Sequence, residues 1–122
     1  MEAFQNAAFS PNHQYFAALT LSVNAYRLRV WETASHQLIN DFTGQEGDEC
    51  ISLSWSDLIL ALGLKSGTID LFSIAQKSII GSLKNGHKSM VNDFAFDGVR
   101  GYSISEDGSV CEWDLETLKC IR

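Results

Sequence analysis

Ser105 to Asp114 reads SEDGSVCEWD. It joins an acidic pair, a glycine turn, an alternating apolar run and a Trp-Asp ending, so its acids either serve chemistry or hold the chain together. Two other stretches fall into register with it. When YRLRVWET (Tyr26 to Thr33) and GTIDLFSI (Gly67 to Ile74) are set against GSVCEWDL (Gly108 to Leu115), Trp31, Phe72 and Trp113 form one column at a spacing of 41 residues. A second aromatic column lies upstream in NAAFSP, SLSWSD and DFAFDG, at Phe9, Trp55 and Phe96. The distances from the second column to the first are 22, 17 and 17 residues. The first unit therefore carries about five extra residues, and TLSVNAYR is the expected place for them, as a longer turn.

Within each unit apolar residues alternate with polar ones, which is the period of a half-buried strand. Leu28 and Val30 share one side of RLRVW, and Ile69 and Leu71 share one side of GTIDLFS. Turn-forming clusters punctuate the chain at SPNH, GQEGDE, KSG, KNGHKS and SEDGS, and Pro11 is its one proline. The third unit predicts strands over 91–96, 99–105, 109–115 and 117–121. Four antiparallel strands recurring at this spacing match a propeller blade of roughly 40–45 residues. The expected fold is all-β, with three four-stranded blades at about 1–45, 46–85 and 86–122.

Composition narrows the function classes. With 122 residues, 45% of them hydrophobic, the chain is large enough for one ordinary core and too short for two domains. Its formal charge of −6, without a basic cluster, argues against a broad phosphate-binding surface. MEAFQNAAFS lacks the apolar core of a secretory leader, and no stretch approaches the roughly 20 apolar residues that cross a bilayer. Cys50, Cys111 and Cys120 lack the close spacing of a zinc or redox motif and are expected to be reduced, partly buried hydrophobes. No Asn-x-Ser/Thr acceptor occurs, which fits an intracellular chain.

The third unit resembles a WD repeat, with Gly86-His87 followed by SISEDGSVCEWD. That resemblance implies a hydrogen-bonded structural tetrad of His87, Ser105, Asp107 and Trp113. The arrangement makes physical sense, because a buried indole N–H, a hydroxyl and an imidazole each need a partner. In the first two units RVWE keeps the Trp and DLFS keeps neither signature residue. Those blades are expected to rest on apolar packing.

AFSPNHQYFAALT, YRLRVWETASHQLINDF and the degenerate GLKSGTIDLFSI unit are similar to the N-terminal blades of the nucleolar, U3 small nucleolar RNA-associated WD-repeat proteins, the relatives of WD-repeat protein forty-three. The resemblance implies a non-catalytic scaffold in the nucleolus, within a multisubunit complex of small-subunit ribosome biogenesis and pre-ribosomal RNA processing. It leaves open weak or indirect contact with that RNA. A ubiquitin-ligase adaptor or a trafficking-coat subunit is the alternative within the same fold. Three blades leave two sheet faces uncovered, so further blades, a partner or self-association are expected to cover them.

Catalytic readings are weaker. Ser105, His87 and Asp107 can be named as a hydrolase triad, but no nucleophile elbow or oxyanion loop accompanies them. EDGS lacks the further oxygen ligands of a calcium loop, and GLKSG lacks the ending of a phosphate loop. No cofactor and no metal are expected. His13 and His36 are expected to be exposed. The candidate partner-binding residues are Glu49, Lys88, Arg100 and Glu106, with Lys84, Lys88 and Arg100 the ones able to touch RNA phosphates.

Overall fold

The computed structural model describes residues 3–21 and 25–122 and contains three four-stranded antiparallel sheets in simple meander order. The first holds β1 (Ala3–Phe9), β2 (Tyr15–Leu21), β3 (Tyr26–Glu32) and β4 (Leu38–Thr43). The second holds β5 (Cys50–Ser56), β6 (Ile59–Leu64), β7 (Ile69–Ser73) and β8 (Ser78–Leu83), and the third β9 (Val91–Asp97), β10 (Arg100–Ser105), β11 (Val110–Asp114) and β12 (Lys119–Cys120). The last strand is shorter than the expected 117–121, because the turn before it takes Leu118 to a φ of 62°.

Strand pairing locates the five extra residues of the first unit. Phe9, Phe16 and Trp31 lie opposite one another across β1, β2 and β3, as do Trp55, Leu60 and Phe72 in the second sheet and Phe96, Gly101 and Trp113 in the third. Phe9 to Phe16 is seven residues where the other sheets use five, so two of the extra residues sit in the β1–β2 turn. The other three fall between Phe16 and Trp31, in the hairpin whose tip at 22–24 lies outside the described residues. The expectation that TLSVNAYR houses all five is corrected to that extent.

The third-to-fourth strand turns repeat in backbone form where their sequences do not. His36, Lys77 and Leu118, spaced by 41 residues, all have positive φ, near 60°. Their N–H groups donate to the carbonyls of Glu32, Ser73 and Asp114. Asp114 Oδ1 also accepts from the N–H of Glu116 at 2.9 Å, Ser73 Oγ accepts from that of Gln76 at 3.1 Å, and Glu32 Oε1 accepts from Ser35 Oγ at 2.7 Å. The Asp of the Trp-Asp ending is thus a turn cap, and Ser73 and Glu32 take up the same work with different side chains.

The core is not inside a sheet but between sheets. One face of the first sheet, with Ala17, Leu19, Leu28 and Val30, packs on the face of the second that carries Leu60, Leu62 and Phe72. The opposite face of the second sheet, with Ala61, Ile69 and Leu71, packs on Val91, Phe94, Cys111 and Trp113 of the third. Alternation of side chains across each strand gives every middle sheet two apolar faces, as a stack of blades requires. Trp31 lies on the face of the first sheet opposite the one packed on the second, with no sheet against it among the described residues. It is half-buried against Phe16 (6.1 Å between ring centres), beside a Phe9 that is 53% exposed. On the far side of the third sheet Tyr102, Ile104 and Val110 are exposed. Cys50 and Cys111 are buried as expected, whereas Cys120, on the outermost strand, is exposed.

Leu62→Ala, at a fully buried inter-sheet position, is expected to lower the unfolding free energy by about 2–5 kcal/mol. Ile104→Ala, outward-facing on the third sheet, is expected to stay within about 0.5 kcal/mol of the parent. Urea denaturation of the two variants checks this, and equal losses would contradict the stacking of faces described above.

Candidate functional site

The connection from β8 to β9 carries Gly86-His87 over the edge of the third sheet, and the β10–β11 turn comes up to meet it. A Cβ on Gly86 would strike the ring of Trp113, so only glycine lets the connection approach the indole closely enough to insert His87. His87 is 7% exposed. Its Nε2 lies 2.6 Å from Ser103 Oγ, and Trp113 Nε1 donates to the same oxygen at 2.8 Å. The other ring nitrogen, Nδ1, meets Ser109 Oγ at 2.6 Å. Ser109 Oγ in turn donates to Asp107 Oδ1, while Asp107 also accepts from the N–H of Ser109 at 2.8 Å and that of Lys88 at 2.7 Å.

The expected tetrad is therefore corrected at one position and extended at another. The hydroxyl that joins the indole to the imidazole belongs to Ser103, not Ser105. Ser103 lies opposite Cys111 in the β10–β11 ladder, one step along the same face from the Gly101–Trp113 pair, whereas Ser105 lies two residues further from the indole. Ser105 Oγ instead donates to the carbonyl of Ser89 at 3.1 Å and accepts from Asp107 N–H at 3.2 Å, closing the turn. Ser109 stands between His87 and Asp107, so the carboxylate acts on the imidazole through a hydroxyl. With both His87 nitrogens occupied by Ser103 and Ser109, the named triad of Ser105, His87 and Asp107 is not assembled as nucleophile and base.

The electrostatics follow the geometry. The donors from Ser109 and Lys88 hold the Asp107 carboxyl well below the usual carboxylate range, although the residue is exposed. Burial lowers the His87 pKa, and the Asp107 charge opposes that only in part. The neutral imidazole is thereby favoured, one nitrogen donating and one accepting.

The candidate contact residues do not form one surface. Glu49, in the β4–β5 connection, pairs with Lys65 of the β6–β7 turn at 3.7 Å, and both side chains are exposed. Lys88 and Glu106 lie near Asp107 at the His87 end of the third sheet. Arg100 begins β10, which ends at Ser105, so it sits at the opposite end, 3.7 Å from Glu112 and 3.5 Å from Asp114. His13 and His36 are exposed, both in turns. Ser103 and Ser109 escaped the sequence reading. The 41-residue register could have flagged Ser103, since it aligns with the core residue Leu62, but Ser109 reads only as a turn residue.

Three stacked four-stranded meanders with this His-Ser-Trp arrangement at one edge define a WD-repeat β-propeller, and the chain is a three-blade segment of that family. A chain from a crystal structure of the mitotic checkpoint complex superimposes on 99% of it with a TM-score of 0.84 at 21% identity, the match taking up 36% of that chain. In sequence, it is 29% identical to human WD repeat-containing protein 43 over 92% of its length, and 28% identical to yeast (Saccharomyces cerevisiae) U3 small nucleolar RNA-associated protein 12 over 73%. Yeast APC/C activator protein CDC20 is 30% identical over 72%. The chain spans only 21%, 10% and 15% of these three relatives. No family model matches it.

Ser103→Ala is expected to cost about 1–3 kcal/mol by leaving the Trp113 N–H unpaired. It should shift the Trp113 indole N–H resonance strongly, whereas Ser105→Ala should leave that resonance in place; the reverse pattern would restore Ser105 as the bridge. A pH dependence also follows. The unfolded imidazole takes its proton near 6.5 and the folded one only at lower pH, so between these values the unfolded state binds more protons. The contribution of His87 is complete above about 6.5 and is lost as pH falls through the folded value. Tm measured by circular dichroism between pH 7.5 and 5 should fall more steeply for the parent than for His87→Gln. Parallel slopes would show that His87 does not control that loss.

Proposed function

We propose that this chain is a non-catalytic scaffold module of a nucleolar complex that processes pre-ribosomal RNA during small-subunit biogenesis. The observation that carries the proposal is the similarity, over 92% of the chain, to WD repeat-containing protein 43, joined by that to U3 small nucleolar RNA-associated protein 12. The physical arrangement supports the scaffold half of the reading. Rigid sheets held by inter-sheet packing present their turns as a fixed surface, and such turns suit protein contacts better than a reaction. Glu49, Lys88 and Glu106 belong to that surface at one end of the sheets, and Arg100 presents a separate charged position at the other. With a formal charge of −6, association with RNA runs through partner proteins rather than through a basic face.

The similarity to APC/C activator protein CDC20 supports a second reading, an adaptor in a ubiquitin-ligase complex. Affinity purification of the tagged chain from cells separates the two. The nucleolar proposal expects U3 RNA and its associated proteins in the eluate and tagged chain concentrated in nucleoli. Recovery of ligase subunits without U3 RNA would overturn it.

A further inference from the structure

The junction between the first and second sheets lacks the His87 network. The repeat puts Leu62 in the place of Ser103, Phe72 in that of Trp113, and Asp70 in that of Cys111. Leu62 and Phe72 are fully buried and bring no polar group to the junction. Toward the β4–β5 connection and the β6–β7 turn, the corresponding end of the junction opens into a cavity of about 390 Å³. Tyr26 and Asp70 line it together with Asp48, Thr68, Ser82 and Lys84.

Asp70 is the unusual member. It is half-buried, and burial, reinforced by the nearby Asp48, pushes its pKa up. Ser82 Oγ donates to Oδ1 at 2.8 Å, but the Tyr26 hydroxyl reaches Oδ2 only at 3.5 Å, the limit of a hydrogen bond. An ionised carboxylate offers about four acceptor positions, so most of its capacity is unspent. Lys84 is exposed at the rim and acts on Asp70 through space. Partial burial makes a further donor to this carboxylate favourable.

We propose that this cavity is a recognition pocket for an arginine side chain presented by a loop of a partner protein. Two carboxylates against one lysine leave the site net negative, which favours a cation and repels RNA phosphates. The guanidinium is planar and carries five donors, matching the open oxygens of Asp70 with the hydroxyls of Thr68 and Ser82 beside it. The Tyr26 and Phe42 rings supply apolar wall for the methylene stem and the guanidinium face. The volume lies within the roughly 300–1,000 Å³ of ordinary ligand pockets. This reading stands on the cavity and is independent of the nucleolar assignment.

The test is a nuclear magnetic resonance titration of the whole chain with acetyl-Gly-Arg-Gly-amide and with the same peptide carrying citrulline, which keeps the shape and loses the charge. Saturable shifts at Tyr26, Asp70 and Ser82 are expected for the arginine peptide, with citrulline at least about tenfold weaker. Asp70→Asn, nearly isosteric and relieved of the buried charge, should melt no lower than the parent and should weaken arginine binding by about tenfold or more. Asp93→Asn, on β9 and outside the cavity lining, should bind as the parent does. Absence of saturable shifts at these residues, equal binding of citrulline, or full binding by a folded Asp70→Asn chain would each overturn the proposal.

Discussion

The structure depends on one constraint: a four-stranded meander with alternating side chains cannot bury both of its faces by itself. Each sheet in this chain is apolar on the side that meets a neighbour, and the two junctions hold the large buried side chains. Leu28, Leu60, Leu62 and Phe72 fill one, and Ile69, Leu83, Val91 and Trp113 fill the other. Individual turns and hydrogen bonds adjust within that frame. Even the degenerate second sheet, which keeps none of the signature polar residues, is held on both sides by it.

The two junctions show different solutions to the same problem at their edge. At the second, a chain of hydrogen bonds from Trp113 through Ser103, His87 and Ser109 to Asp107 gives the buried indole, hydroxyl and imidazole their partners. At the first, Leu62 and Phe72 make the deep part wholly apolar, while Tyr26 from the first sheet occupies the space beside Gly44 and leaves Asp70 partly desolvated. A satisfied polar network seals and rigidifies, whereas a half-satisfied one holds unused acceptor capacity. The degenerate blade is therefore the one with room for a ligand group, and the well-preserved blade is the one devoted to architecture.

How much of this was legible follows from what each residue type demands locally. The aromatic columns at 41-residue spacing, the alternation in RLRVW and the glycine-bearing turns specify strands, hairpins and their number, because these preferences act over a few residues. SEDGSVCEWD likewise announces a turn and a buried indole. It does not announce which hydroxyl the indole meets: Ser103 and Ser105 lie on the same face, and only strand pairing places Trp113 opposite Gly101 and within reach of Ser103. The shared left-handed turns at His36, Lys77 and Leu118 were invisible for a related reason, since three chemically unlike residues adopt one backbone shape under the pull of the sheets around them.

The sequence by itself determined the period, the strand character and the all-β class, while the architectural roles of His87, Asp107 and Trp113 were what the resemblance to a WD repeat implied. The first three rest on local sterics and on side-chain alternation. Only the tertiary structure decided that Ser103 and Ser109 complete the network and that Arg100 stands apart from Glu106. It alone brought Tyr26 and Asp70, 44 positions apart, to one cavity. The physical reason is common to all three: each depends on how one sheet lies against the next or how one strand is paired with another, and no local preference encodes that distance.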